Sequence, residues 1–157
     1  MKYDINIRDI EPIRVAAMGY KGNITQASRQ FPNVFKSIRG KSNGAPFFAY
    51  YDVDEKNGTG ELELCVPTGE TPNSQGITIK ELPRVRAACL THIGGYDELP
   101  KAYEAMRDYI EGSNLKVQPP WREVYIKGPG LILKGNPDKY ITEIIFPIKE
   151  GENNAGD

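Results

Sequence analysis

The sequence predicts an α+β protein built from two copies of a strand–helix–strand–strand (βαββ) unit. Three observations lead to this prediction: an internal repeat, an amphipathic segment of helical period in each copy, and a pair of β-branched and aromatic segments after each of them. At 157 residues the chain is long enough for one domain with a substantial core.

The repeat is visible when residues 7–22 (IRDIEPIRVAAMGYKG) are set against residues 79–94 (IKELPRVRAACLTHIG), a shift of 72 positions (79 − 7). A shift of 80 (143 − 63) aligns the last strands of the two copies. We therefore predict a single domain over 1–149, divided into repeat 1 at about 3–68, a polar linker at 69–76 and repeat 2 at about 77–149, followed by a disordered tail at 150–157.

The first strand of each copy is predicted at about 12–20 and about 84–92. The second helix is predicted at about 97–111, because apolar residues recur there at helical spacing and Pro100 falls in the first turn, where a proline is tolerated. The first helix contains Pro32 in its interior and should be kinked or split there.

Each copy is predicted to close with a hairpin, the first from 46–53 and 60–66, the second from 121–126 and 140–148. The Asn57–Gly58 pair in the first connection is a strong hairpin signal.

Composition excludes several classes of function. A net charge of -1 does not indicate a nucleic-acid-binding surface, and no apolar run reaches the length of a membrane helix. Cys65 and Cys89 are isolated, which fits a reducing compartment without a disulfide framework. With one histidine and no nucleotide-binding motif, we expect a cytoplasmic protein without a metal or cofactor.

The alternation of side chains along each strand assigns its faces. Leu62 and Leu64 are predicted to pack on the helix, which leaves Glu63 on the other face. By the repeat, Ile144 and Phe146 face the helix and Glu143 faces away.

The same reasoning assigns Val124 and Ile126 to the helix face of strand 121–126. If Tyr51 matches Tyr125, Phe47 also lies on the face away from the helices, although the opposite parity, with Phe48 and Tyr50 in that role, stays open. The face away from the helices is then predicted to carry Phe47, Tyr51, Trp121, Tyr125, Glu63, Glu123 and Glu143. Aromatic rings and carboxylates together favour flat, apolar and often cationic molecules.

Glu143 is the main candidate site residue. It lies in the middle of a strand with apolar neighbours on both sides, and a charge there is costly unless it finds a partner or takes up a proton. The alternative is a carboxylate paired with a surface lysine such as Lys139. For Glu63, which has Glu61 beside it, a solvated strand face is an equally good interpretation. We expect His92 to be structural and to help hold the turn at residues 94–95.

Three motifs together resemble the GyrI-like small-molecule-binding domain, which is also the effector-binding half of AraC- and MerR-type multidrug regulators. They are His92-x-Gly94-x-Tyr96 before a helix, the run WREVY at 121–125, and Thr142-Glu143-Ile144-x-Phe146-Pro147. The resemblance implies two βαββ units related by a pseudo-twofold axis, with helices on one face and a ligand groove on the other. It also implies that the family's acidic residue corresponds to Glu143 and its groove aromatics to Trp121 and Tyr125.

From this resemblance we expect a stand-alone protein that binds lipophilic, often cationic, aromatic compounds through Glu143, Trp121, Tyr125, Tyr51, Phe47 and Glu63. No DNA-binding segment precedes Tyr3, so we expect no direct contact with nucleic acid. One alternative is a hydrolase of cyclopropane-bearing alkylating compounds, in which Glu143 activates water and Tyr125 assists. A further alternative is a protein that interacts with gyrase or with a regulator.

Overall fold

The computed structural model describes residues 3–129 and 135–149, so the tail predicted at 150–157 lies outside the described residues. It is an α+β fold. Its elements in chain order are β1 (Ile5–Ile10), β2 (Ile13–Asn23), α1 (Ile24–Ala27), α2 (Phe31–Ser37), β3 (Phe47–Asp54), β4 (Thr59–Pro67), β5 (Ile77–Leu82), β6 (Val85–Ile93), α3 (Leu99–Gly112), β7 (Trp121–Lys127) and β8 (Ile141–Pro147). Among the described residues, no helix has the length and apolar character needed to cross a membrane.

The chain forms two compact units. Unit 1 consists of Met1–Ile10 with Val85–Asp157, and unit 2 consists of Glu11–Arg84. Unit 1 has the antiparallel strand order β1-β6-β8-β7, and unit 2 has the order β3-β4-β2-β5. Each unit is therefore a βαββ motif with one additional strand, as the predicted duplication requires, while the duplication itself stays a prediction.

The additional strands, β1 and β5, were not predicted as strands. β1 precedes β2 in the chain but pairs with β6, from Ile5 opposite Leu90 to Ile10 opposite Val85. Each strand carries two consecutive charged residues before its last apolar residue, which weakens the apolar signal. The compact units consequently differ from the two predicted repeats by the exchange of two strands, β1 and β5.

In unit 1, α3 packs on β6 and β8. Leu99, Ala102 and Met106 of the helix share one buried cluster with Leu90, Ile144 and Phe146 of the strands, among other residues. The predicted helix face of the last strand is confirmed.

In unit 2, the first helical segment is split, as predicted. A turn of 3-10 helix at Ser28–Gln30 separates α1 from α2, and Pro32 falls in the first turn of α2. Phe31 stacks on Phe48 with ring centroids 5.1 Å apart, so the side of β3 that carries Phe48 and Tyr50 faces the helix. In the register of β3 with β4, Phe47 lies opposite Cys65 and Ala49 opposite Glu63, which resolves the open parity: Phe47 lies on the face away from the helix.

The face assignment of β7 was wrong. Glu123 lies opposite Ile144 and Tyr125 opposite Thr142, which places both on the helix face. Val124, predicted to face the helix, lies opposite Glu143 and packs in the small cluster on the other side of the sheet.

The helix face of β7 is formed instead by Trp121, whose ring contacts Phe146, and by Glu123, which accepts a hydrogen bond from Tyr103. The predicted repeat alignment of β3 with β7 was also shifted by one residue. Phe48 lies opposite Leu64 in β4, and Glu123 lies opposite Ile144, the equivalent of Leu64, so the two strands are offset by 75 (123 − 48). Matching Tyr51 to Tyr125 uses an offset of 74 (125 − 51). Side chains alternate between faces, so a slip of one residue exchanges the two faces of the whole strand.

Candidate functional site

The candidate site lies on the helix face of unit 1 and is centred on Glu123. This residue is buried, with 8% of its surface exposed, although a strand carboxylate is normally solvated. The Tyr103 hydroxyl on α3 donates a hydrogen bond to Glu123 Oε1 at a distance of 2.5 Å. The hydroxyl of Tyr125, which lies on β7 with Glu123, donates to Oε2. The carboxyl group is therefore held from both the helix and the sheet.

Burial raises the pKa of Glu123 above its ordinary value of 4.5, because removal from water penalises the charged form. The hydrogen bonds from Tyr103 and Tyr125 act in the opposite direction without cancelling this effect. Within the described part of the chain, no cation contributes to the shift. The carboxyl group thus sits in a dry environment with phenols as its hydrogen-bonding partners.

The two tyrosines that hold this carboxyl group belong to a larger set of aromatic contacts. The Tyr96 ring lies edge-on to Tyr125 at 5.9 Å and tilted against Tyr140 at 5.2 Å. Phe146 contacts both Tyr103, at 6.1 Å, and Trp121, at 5.9 Å. We call Glu123 and these six rings the Glu123 cluster. Tyr96 is 38% exposed, and Tyr103, Trp121 and Tyr125 are partly exposed, so the cluster can be reached from solvent.

The position of Tyr96 depends on His92, which is fully buried at the end of β6. His92 Nε2 lies 3.0 Å from the Gly95 carbonyl, which can only accept, so Nε2–H donates this hydrogen bond. Nδ1 forms a hydrogen bond with the Tyr3 hydroxyl at 2.8 Å. Gly94 has φ of +140°, a conformation that favours glycine, and the turn at 94–95 is held as expected.

Glu143 is not part of this cluster. It lies on the other face of the sheet and forms a salt bridge with Arg8 of β1, their side chains being 14% and 47% exposed. The expected alternative partner was Lys139, but the partner observed is Arg8 from the strand that was not predicted. The premise that this carboxylate lacks a partner therefore fails, and its ligand role stays a prediction.

In unit 2, Glu63 and Tyr51 lie together. Lys80 Nζ of β5 contacts the two Glu63 oxygens at 2.8 and 2.9 Å, and the Tyr51 hydroxyl donates to Oε1 at 2.7 Å. The same ammonium lies 5.5 Å from the centre of the Tyr51 ring. Phe47 is buried on the same face of β3 as Ala49, which lies opposite Glu63. A lysine thus already occupies the position that a cationic ligand would take against this carboxylate.

Under the predicted duplication, the two units place different groups at matching positions. Arg8 and Lys80 are separated by the repeat shift of 72 (80 − 8). Arg8 pairs with Glu143 of β8, and Lys80 pairs with Glu63 of β4. On the helix face, the Tyr103–Glu123 hydrogen bond of unit 1 has the Phe31–Phe48 stack as its counterpart in unit 2. The buried carboxylate is therefore specific to unit 1 among these equivalent positions.

The predicted site residues divide between three places. Trp121 and Tyr125 belong to the Glu123 cluster; Tyr51, Glu63 and Phe47 belong to unit 2; and Glu143 lies on the opposite face of unit 1. Sequence reasoning missed Glu123 as a candidate ligand residue, along with Tyr103 and Tyr96. The available signal was the run WREVY, in which an acidic residue stands between two aromatic residues on one face of a strand.

Comparisons with known proteins were made for sequence and structure. No curated protein sequence matches the chain. The C-terminal domain of EcmrR has a TM-score of 0.81 at 23% identity, covering 95% of this chain and 99% of that one. SAV2435, solved with tetraphenylphosphonium, has a TM-score of 0.60 at 18% identity, covering 99% of both chains.

A hydrolase from Listeria innocua has a TM-score of 0.64 at 11% identity, covering 92% of this chain and 91% of that one. At these identities the similarity establishes the fold. The family described as GyrI-like small molecule binding domain matches residues 3–149. The chain therefore belongs to the GyrI-like family of small-molecule-binding domains.

Proposed function

We propose that this protein binds lipophilic, often cationic, aromatic small molecules at the Glu123 cluster, with Glu123 as the carboxylate that holds the positive charge. The observation that carries the proposal is a buried carboxyl group bonded to two phenol hydroxyls and surrounded by partly exposed rings. SAV2435, which has the same fold, was solved with the lipophilic cation tetraphenylphosphonium, and this supports the ligand class.

The energetic argument starts from the cost of burial. A desolvated carboxylate without a cation is destabilising, and an incoming cation recovers part of that cost. Each aromatic ring that faces the cation adds about 0.5–2 kcal/mol, and burial of apolar surface adds about 25 cal/mol per Å². After the costs of association, these contributions correspond to affinity of roughly micromolar order.

The proposed site keeps Trp121 and Tyr125 from the sequence prediction and replaces Glu143 by Glu123. Glu143 and Glu63 already pair with Arg8 and Lys80, so a ligand cation would have to displace a covalently tethered one. A cation that binds at Glu123 does not have to displace Arg8 or Lys80, so its binding free energy should be more favourable there than at Glu143 or Glu63. The ligand roles predicted for Glu143, Glu63, Tyr51 and Phe47 remain open to the test below.

A second candidate function is hydrolysis of an electrophilic apolar compound. It is favoured by the raised pKa of Glu123, which suits a general base. The Listeria innocua protein of the same fold is described as a hydrolase. In this candidate Glu123 takes the role that the sequence assigned to Glu143.

The binding proposal is tested with methyltriphenylphosphonium and triphenylphosphine oxide, a cation and a neutral molecule of similar shape. Quenching of the single tryptophan, Trp121, reports binding. We expect Glu123→Gln to weaken the phosphonium at pH 8 by at least about tenfold, because loss of a buried charge partner costs about 2 kcal/mol or more. The phosphine oxide should bind both forms alike.

Glu143→Gln is the matched control, since it removes a carboxylate from the opposite face. We expect it to leave the phosphonium affinity within about twofold of wild type. Weaker binding in Glu143→Gln together with unchanged binding in Glu123→Gln would move the site to the other face of the sheet.

Burial of Glu123 also predicts a dependence of stability on pH. Its pKa is raised in the folded state, so the folded protein holds a proton that the unfolded chain releases above about pH 4.5. The free energy of unfolding should therefore fall as pH rises from about 4.5 through the folded-state pKa. Glu123→Gln should lack this component and be more stable than wild type at pH 8 by about 1–3 kcal/mol, measured by urea unfolding. Parallel pH profiles for the two proteins would contradict the assignment.

The hydrolase candidate is tested by product formation from a cyclopropane-bearing alkylating compound, followed by chromatography. If the protein is an enzyme, turnover should fall by at least about 100-fold in Glu123→Gln while the same compound still quenches Trp121. If the wild-type protein binds the compound but forms no product, the hydrolase candidate is wrong and the binding proposal is the one that remains.

A further inference from the structure

Thr142 of β8 carries a polar group that the protein leaves unused. Its side chain is fully buried, and within the described residues its Oγ1 has no hydrogen-bond partner. An unsatisfied buried hydroxyl is uncommon in native proteins, and such a group is usually satisfied by a water molecule or a ligand. The position therefore calls for a partner from outside the chain.

Register places this hydroxyl beside the Glu123 cluster. Thr142 lies opposite Tyr125, two pairs along the strands from Glu123 and Ile144, so its side chain is on the same face of the sheet as Glu123. Diagonal neighbours of this kind are separated by about 7–8 Å. This distance is within the span of a molecule with several aromatic rings.

The neighbouring polar groups are already engaged. His92 lies opposite Thr142 on β6, and its ring nitrogens contact the Tyr3 hydroxyl and the Gly95 carbonyl. The Tyr125 hydroxyl donates to Glu123. Both flanking side chains that could have bonded the Thr142 hydroxyl are directed to other partners.

We propose that Thr142 is a second polar contact of the ligand site and selects ligands that carry a hydrogen-bonding group, such as a hydroxyl or carbonyl, on a ring remote from the cationic centre. The inference rests on the proposed function and adds specificity to it. Glu123 balances the charge, the rings of the Glu123 cluster provide apolar contact, and Thr142 distinguishes among aromatic cations of similar size.

The test compares tetraphenylphosphonium with its 3-hydroxymethyl and 4-hydroxymethyl derivatives, which have the same charge and nearly the same shape. Affinities are measured by Trp121 quenching for wild type, Thr142→Val and Thr142→Ser. In the wild-type protein, at least one derivative should bind about fivefold to tenfold more tightly than tetraphenylphosphonium, the value of one net hydrogen bond to a previously unsatisfied group.

Thr142→Val keeps nearly the same side-chain shape and removes the hydroxyl, so it should abolish this preference, and the three probes should then bind with equal affinity. Thr142→Ser keeps the hydroxyl and should retain the preference. A preference that survives in Thr142→Val, the lack of a preference for either derivative in wild type, or an equal loss for all three probes in Thr142→Val would overturn the inference. Tetraphenylphosphonium binding that depends on Glu123 without any hydroxymethyl preference refutes the Thr142 role alone, whereas no binding by wild type refutes the proposed function as well.

Discussion

The interaction on which this account depends is the burial of the Glu123 carboxyl group between α3 and β7. Two phenol hydroxyls from Tyr103 and Tyr125 satisfy its oxygens but do not neutralise its charge. Burial raises the pKa of Glu123, so the folded protein bears a cost that an apolar residue at this position would avoid. In unit 2, Phe48 stacks on Phe31 at the position that the predicted duplication matches to Glu123. This contrast is the reason for proposing that Glu123 serves ligand binding.

Much of the fold was predictable because it depends on local patterns. Helix α3 follows from apolar spacing, the split of the first helix from Pro32, and the hairpins from alternating strands and turn residues. Strands β1 and β5 were missed because two charged residues interrupt the apolar pattern of each and their pairing is not local. Arg8 comes from one of these strands, so the partner of Glu143 could not be foreseen from the predicted elements.

The candidate site was predicted in its chemistry but not in its location. An aromatic surface with a carboxylate was expected, and Trp121 and Tyr125 belong to the cluster that the structure forms. Assigning the apolar residues Val124 and Ile126 to the helix face exchanged the faces of β7 and put these rings beside Glu143. Strand periodicity is two, so pattern alone cannot detect a slip of one residue when both faces carry aromatic and charged side chains. Two register shifts, one at Tyr51 in β3 and one at Ile126 in β7, add to this ambiguity.

The central claim is that a cationic ligand binds against the ionised form of Glu123, and coupled proton release tests it most directly. Calorimetric titration with methyltriphenylphosphonium in buffers of different ionisation enthalpy measures the protons released per ligand bound between pH 4.5 and pH 8. Because the free protein has a raised pKa at Glu123 and the cation lowers it, we predict proton release that declines as pH rises through the free-state pKa and that is abolished in Glu123→Gln. Binding without proton release across this range, or release that is unchanged in Glu123→Gln, would contradict the account.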